Sequence, residues 1–587
     1  MSASNKKKLR REQTAALLTE KQQQEQKEAK KLKVMTTTFI VVMALVLAIV
    51  VGVMATPTVT GIVRRNSHAV TIGDHELSAA ELSYFYIDSI LDYRYNIYQN
   101  YYAYYGDYWY LGLGFDTTTP LDKQTYDDKT GQTWAEYFVN ASVENATSIY
   151  SLYDDAMAKG YTLSEEDQKA LDDSLNHLKE DAKQNNFNSV AAYLRSVYGD
   201  SATVKSFKEY YTISTIATSY YADHSEELEN SYTVEDFRAY DKDKFNNYSS
   251  FSYVYYTLSY SSYLKTEEGT KNESGQTDWT EEQKNVARDK AKADAEALLA
   301  AGITDKASFD KAVQELEINK YDSEGKPVED SKKATATEAN DRLYTSISIA
   351  DTAKEWLAHA DRKAGDVASI PVYAYITKDG ETVATDHVHG DDCGHDRVAN
   401  SYYVILFVEK DTNETYLANV RHILVNFEGG TKDSSGKVTY SVAEKEAAKA
   451  EAEKILADWK ASIANETDAA KIEESFGALA NEKSDDQNGK VTNGGLYEDI
   501  YPGQMTAKFN DWCFDAARKA GDTGIVETEY GYHVMFYSST DELTYRDMMV
   551  SSEMLTEDLK EWSEGLAEAK KAVIVNLKHM EYDLILG

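Results

Sequence analysis

Cysteine is almost absent: Cys393 and Cys513 are the only two in 587 residues. A disulfide framework is therefore excluded, and the chain must be held by ordinary apolar cores with at most one bridge. Positive charge is also scarce, with 62 Lys and Arg against 99 Asp and Glu, a net charge of −37. Nucleic acid is captured by clustered Lys and Arg, so it is not an expected partner; the acidic surface serves mainly solubility. A Walker-type phosphate loop, a dinucleotide-binding glycine fingerprint and a Gly-x-Ser-x-Gly elbow are all missing. Those absences argue against ATP-driven unfolding and serine hydrolysis.

Charge is missing locally too. Residues 36–55, TTTFIVVMALVLAIVVGVMA, contain no ionisable side chain, and about 20 apolar residues suffice to cross a bilayer as a helix. The preceding residues 1–34 are basic, which under the positive-inside rule predicts a cytoplasmic tail and a transmembrane anchor over residues 35–55. A cleaved signal peptide is the competing reading, but its apolar region is typically shorter. No cysteine follows the run closely, so a lipid-modified N-terminal cysteine is excluded. Residues from 56 onward are then expected outside the cytoplasm, at the outer face of the cell membrane.

What is present divides by texture. Residues 56–232 carry apolar side chains at spacings of three and four, the helical period, and read as a mostly helical domain. Within it, residues 84–110 are crowded with tyrosine, including YNIYQNYYAYYGDYWY. That is more aromatic surface than one helix face hides, and tyrosine, apolar with a polar tip, suits gripping extended polypeptide. From residue 233 the pattern becomes strand, helices, closing strand: SSFSYVYYTLSYSSY, then WTEEQKNVARDKAKADAEALLAAG and DKASFDKAVQEL, then SYYVILFVEKD. The same order recurs over residues 413–541, with ANVRHILVNF as strand, two helices, a Gly-rich connection NGGLYEDIYPGQM, a helix over TAKFNDWCFDAARKA, and a closing hairpin turning near Tyr530 and Gly531. Residues 542–587 add a helix and an apolar end whose amphipathic face is expected to return and pack elsewhere.

The second repeat holds the polar residues that need an account: His422 in RHILV, Asp486 in SDD and His533 in GYHV. A lone strand histidine is commonly a satisfied core residue, whereas two on the first and last strands of one small domain point to chemistry. Met505 and Phe509 lie four apart behind a Gly-rich loop, the spacing of one helix face. RHILV, SDD, GGL at 494–496, GQM followed by Phe509, and GYHV together resemble the parvulin-type peptidyl-prolyl isomerase domain. The whole layout resembles the bacterial extracytoplasmic foldases of the PrsA and SurA type.

The resemblance implies a paired His422 and His533 with Asp486 beside the bound carbonyl, Thr528 joining their hydrogen-bond network, and a proline socket built from Leu496, Met505 and Phe509, with Gln504 also contacting substrate. The family's GGDLG is here GGLYE, and Tyr530 stands where a small or polar residue is usual. The loop NFEGGTKDSSGK lacks a basic cluster, so phosphate-directed specificity is not expected. The first repeat, residues 233–412, has no histidine in its first strand and Tyr403 in place of His533, and reads as a degenerate module that binds or spaces. Its insertion DHVHGDDCGHD offers His387, His389, Cys393 and His395 as soft-metal donors, although a solvated polar loop is the favoured reading; neither metal nor cofactor is expected. The overall expectation is an α+β multidomain chain with a transmembrane helix, a helical chaperone-like domain, two parvulin-like modules, the first degenerate, and a C-terminal helix. Its implied partners are unfolded or partly folded exported polypeptides and the membrane, with a homodimer among the allowed assemblies. A non-catalytic holdase is the alternative, and an envelope scaffold a third reading.

Overall fold

The structure, a computed structural model, describes residues 57–240, 244–272, 274–321, 326–376, 396–434, 436–486 and 491–582. The anchor at 35–55 and the candidate donors His387, His389, Cys393 and His395 lie outside the described residues. Among those described, no helix is long and apolar enough to cross a membrane. The fold is α+β, largely helical with several small antiparallel sheets. It divides into two compact units, one of residues 1–232 and 552–587, the other of 233–551.

In the first unit a hairpin of β1 (His68–Ile72) and β2 (His75–Ser78) leads into α1 (Ala79–Tyr105). Ser78 and Glu81 form a reciprocal capping box, which satisfies two orphan amides at the helix start. The first half of α1 buries Tyr84, Phe85 and Tyr86 in a core shared with α2 (Trp134–Ala158) and α3 (Val204–Ser231). Its second half and the 3-10 turn after it expose Tyr102, Tyr104, Tyr105, Tyr108 and Tyr110, Tyr104 to 84%. The tyrosine-rich stretch is thus part core and part surface. The end of the chain returns to this unit, as a two-residue strand at Val573–Ile574 that pairs antiparallel with β1 and completes a three-stranded sheet, a strand that the mostly helical reading did not include.

The second unit contains two four-stranded antiparallel sheets. The first is built from β3 (Ser250–Ser259), β4 (Thr337–Leu343), β5 (Val367–Ile376) and β6 (Asp396–Asp411), in the order β4-β3-β6-β5. The second comprises β7 (Tyr416–Asn426), β8 (Leu496–Ile500), β9 (Thr523–Glu527) and β10 (Gly531–Thr544), in the order β8-β7-β10-β9. Element by element the two orders coincide. Each sheet also carries longer helices on one face and a short helix on the other. The first packs α4 (Glu281–Ala300) and α5 (Lys306–Glu315) opposite α6 (Asp351–Ala358). The second packs α7 (Val442–Ser462) and α8 (Ala469–Lys483) opposite α9 (Ala507–Cys513).

Strand alternation sorts the side chains of the second sheet. Ile423, Val425, Val534 and Phe536 bury against Trp459 of α7 and Phe476 of α8. Val420, Met535 and Tyr537 face the other way and pack on Phe509 and Cys513 of α9. Two expectations need correction. The stretch read as a Gly-rich connection contains the edge strand β8, and the helix read over residues 506–520 is only the seven residues of α9. Met505 therefore precedes the helix, and it reaches the Phe509 cluster from the loop before the Thr506 cap. Cys513 is buried in that cluster, and burial pushes its thiol up to about 12.

Candidate functional site

The α9 face of the second sheet brings two histidines together. His422 on β7 and His533 on β10 are 2% and 6% exposed, and their Nδ1 atoms lie 3.1 Å apart. His422 pairs across the ladder with Met535, and His533 with Leu424. The two imidazoles are therefore diagonal neighbours on one face, within reach of one another. His533 Nε2 is 2.8 Å from Thr528 Oγ1, and Thr528 Oγ1 in turn accepts the Tyr530 amide at 3.2 Å. At the far end, His422 Nε2 lies 3.3 Å from Asp486 Oδ2. That separation is ion-pair range, but the nitrogen makes no hydrogen bond: it is buried and unsatisfied.

Asp486 is delivered by a segment sewn along the edge of β7. Ser484 Oγ accepts the Leu424 amide at 3.0 Å, the Asp485 amide donates to Leu424 O at 2.8 Å, and the Asp485 carboxylate accepts the Asn426 amide at 3.0 Å. On the same strand the His422 amide donates to Gly495 O at 2.9 Å. Gly495 has φ +64°, and a Cβ there would sit 2.2 Å from His422 O. Only glycine fits so close an approach in that conformation.

Burial, followed by the neighbouring His422, pulls the His533 imidazole down to about 3, so it is neutral at ordinary pH. A contact between two Nδ1 atoms needs one of them to donate and the other to accept. With the Thr528 hydroxyl against His533 Nε2 and the Asp486 carboxylate beside His422 Nε2, the four groups form one polar relay.

An apolar wall stands beside the relay. Phe509 is fully buried and meets both imidazoles edge to face, at 5.6 Å from His422 and 5.3 Å from His533. Met505 packs half-buried on the same cluster. Leu496 is not where the sequence reading put it. It pairs with Arg421, and Tyr497 pairs with Val420, so by alternation Leu496 shares the helix-side face of Arg421 while Tyr497 takes the pocket face. Tyr497 stacks on His422 at 4.8 Å and 17°, and its hydroxyl donates to Asp486 Oδ2 at 2.8 Å. Tyr497 is the site residue that sequence reasoning missed, although GGDLG and GGLYE have the same length, and setting them position by position puts Tyr497, not Leu496, at the family's leucine. Gln504 is exposed on the loop before α9, where its side-chain oxygen accepts the Tyr501 amide at 3.1 Å. Among the described residues no group of three or more His, Cys, Asp or Glu is placed to hold a metal.

The first sheet has the same frame without the histidines. Gly365 and Asp366 clasp Phe407 through Gly365 N–H to Phe407 O (2.9 Å) and Phe407 N–H to Asp366 O (2.8 Å). Gly521 and Asp522 clasp Tyr537 in the same way, both bonds at 2.8 Å. Counting back four residues from each clasp sets Tyr403 against His533. The ladder partners of Ile405 and Met535 then set Tyr255 against His422. The Tyr255 and Tyr403 rings lie 5.8 Å apart. By the same spacing Ala353 stands for Phe509, and Arg362 over Trp356 at 4.6 Å repeats Arg518 over Trp512 at 4.0 Å.

This combination of sheet, paired histidines and apolar wall lies in a segment with a known family. Residues 402–538 match the model described as the PPIC-type PPIASE domain, so the chain carries a parvulin-type domain. Among known proteins, foldase protein PrsA 1 of Listeria monocytogenes serotype 4b (strain F2365) is 30% identical over 132 residues, 21% of this chain and 44% of that relative. The chain thus spans less than half the length of this curated relative. Solved structures with a partial likeness include the peptidylprolyl isomerase PrsA of Bacillus anthracis, at 19% identity and TM-score 0.16 over 27% of this chain and 59% of the other. Another is one of the SurA-like chaperones of Campylobacter jejuni, at 20% identity and TM-score 0.15 over 28% and 57%.

Proposed function

We propose that the protein is a peptidyl-prolyl cis-trans isomerase and foldase for exported proteins, anchored by residues 35–55 with its bulk outside the cytoplasm. The observation that carries this reading is the buried His422–His533 pair, bounded by Thr528 and Asp486, beside the Phe509 and Met505 wall.

The chemistry required is modest. An X–Pro amide resists rotation with a barrier of about 18–20 kcal/mol because its C–N bond has double-bond character, and uncatalysed exchange takes tens to hundreds of seconds. No covalent bond needs to break. A catalyst holds the pyrrolidine ring against apolar surface and binds the twisted amide more tightly than either planar form. In this reading Phe509 and Met505 receive the ring, Tyr497 closes the third side, and Asp486 borders the carbonyl. The relay, with His533 neutral, fixes the polarity of the floor. No cofactor takes part.

The first sheet, with Tyr255 and Tyr403 at the histidine positions and Ala353 at that of Phe509, is a degenerate module that binds or spaces. The exposed tyrosines of residues 101–110 grip extended client chain, an aromatic surface suited to polypeptide. That surface also favours the alternative of a holdase without catalysis, and two assays on the full chain separate the readings. The foldase accelerates the proline-limited phase of a refolding client, and Phe509→Ala removes the acceleration. Suppression of aggregation of a proline-free client survives the same substitution. A refolding phase unchanged by the wild-type chain would leave only the holdase.

A further inference from the structure

The pocket wall at Tyr497 does more than fill space. Its hydroxyl and His422 Nε2 both address the same oxygen of Asp486, at 2.8 Å and 3.3 Å, yet only the phenol makes a hydrogen bond. His422 Nε2 is left without a hydrogen bond in a site 2% exposed. A buried polar atom without a hydrogen bond is costly, so a carboxylate 3.3 Å away would be expected to swing into line with it. The phenol opposes that swing. Its ring lies flat on the imidazole at 17°, which fixes where the hydroxyl can point. The ring is fixed in turn by the pairing of Tyr497 with Val420 on β7.

We propose that Tyr497 is a positioning residue that holds the Asp486 carboxylate at the pocket wall and off the His422 N–H axis. Asp486 thereby polarises the His422 end of the relay without being consumed by it. The inference rests on the isomerase reading for its kinetic consequence, but its structural consequence can be measured without it.

The experiment uses the full chain labelled with 15N-histidine, which restricts the spectrum to 11 residues, and compares wild type, Tyr497→Phe, Asp486→Asn and the double variant. Tyr497→Phe keeps the ring stack and removes the hydroxyl. In wild type His422 is expected as the Nε2–H tautomer without a strongly downfield imidazole proton. In Tyr497→Phe that proton moves downfield as Asp486 collapses onto it. With a proline tetrapeptide kcat falls on the order of tenfold, the scale of losing a hydrogen bond to a charged group, while KM stays near wild type. Asp486→Asn in the Tyr497→Phe background adds little further, because both changes remove one positioned carboxylate. An unshifted His422 proton in Tyr497→Phe, or kinetic losses that simply add, would overturn the proposal. A wild-type chain inactive on the tetrapeptide would defeat the isomerase reading instead, and the proton shift would still decide the role of Tyr497.

Discussion

The two four-stranded sheets of the second unit share strand order, clasp and Arg-over-Trp contact, and differ in the residues that meet on the short-helix face. Where the second sheet sets two imidazoles in Nδ1 contact at 3.1 Å, the first sets two phenols with ring centres 5.8 Å apart. Where Phe509 is buried on the second, Ala353 is buried on the first. The same strand order thus closes over different residues at the matching positions, so a site is set by those residues and not by the frame that carries them.

That comparison can be broken most forcefully at its largest side chain. Phe509→Ala is expected to cost about 3–5 kcal/mol, the range for truncating a fully buried phenylalanine, seen as a lower denaturant midpoint for the second unit. Ala353→Phe in the first sheet is expected to cost about 1–3 kcal/mol by overpacking, without creating activity. Acid should come next. The folded pKa of His533 is depressed by burial to about 3, so below the ordinary histidine range the unfolded chain takes up the proton first. Stability is then lost as pH falls from about 6.5 towards 3, by up to about 3 kcal/mol at pH 4. Urea titrations at pH 7 and pH 4 should show this loss, and His533→Phe should flatten it. The first sheet has no imidazole at the matching position and should not contribute.

A smaller effect is expected at Gly495. Gly495→Ala forces a left-handed conformation on a residue with a Cβ, at more than about 1–2 kcal/mol, and presses that Cβ onto the His422 carbonyl. Altered His422 shifts together with a lower melting temperature would check it. The smallest effect tests the likeness instead of the difference. Arg362→Ala and Arg518→Ala each remove one guanidinium from over a tryptophan, and each should cost about 0.5–1 kcal/mol. Unequal losses in calorimetry would show that the two frames are less alike than their geometry.

Much of this was legible from residue order alone. The helical period before residue 232, the repeated strand–helices–strand plan, the histidines, Asp486, Met505 and Phe509 stood out by type and spacing, and Thr528 came only from the resemblance to the parvulin domain. What failed did so for definable reasons. Strand faces alternate with a period of two, so matching leucine to leucine by type put Leu496 in the pocket, whereas the position that faces it is one residue on, at Tyr497. Residues 514–520 carry helix-favouring alanines, but the chain instead closes a turn in which Arg518 returns to Trp512 O. Val573–Ile574 is too short to show any periodicity, and its partner lies some 500 residues earlier in the sequence. The match of Tyr255 to His422 was invisible because it depends on ladder register, which residue types do not encode.

The most direct test is to make the second site resemble the first. With a proline tetrapeptide followed by exchange NMR, the wild-type chain should speed cis-trans exchange well above the buffer rate. His422→Tyr with His533→Tyr should return it to the buffer rate, while Tyr255→Phe with Tyr403→Phe should leave it unchanged. Exchange at the buffer rate in wild type, or equal losses from both pairs, would contradict the assignment of catalysis to the histidine-bearing sheet.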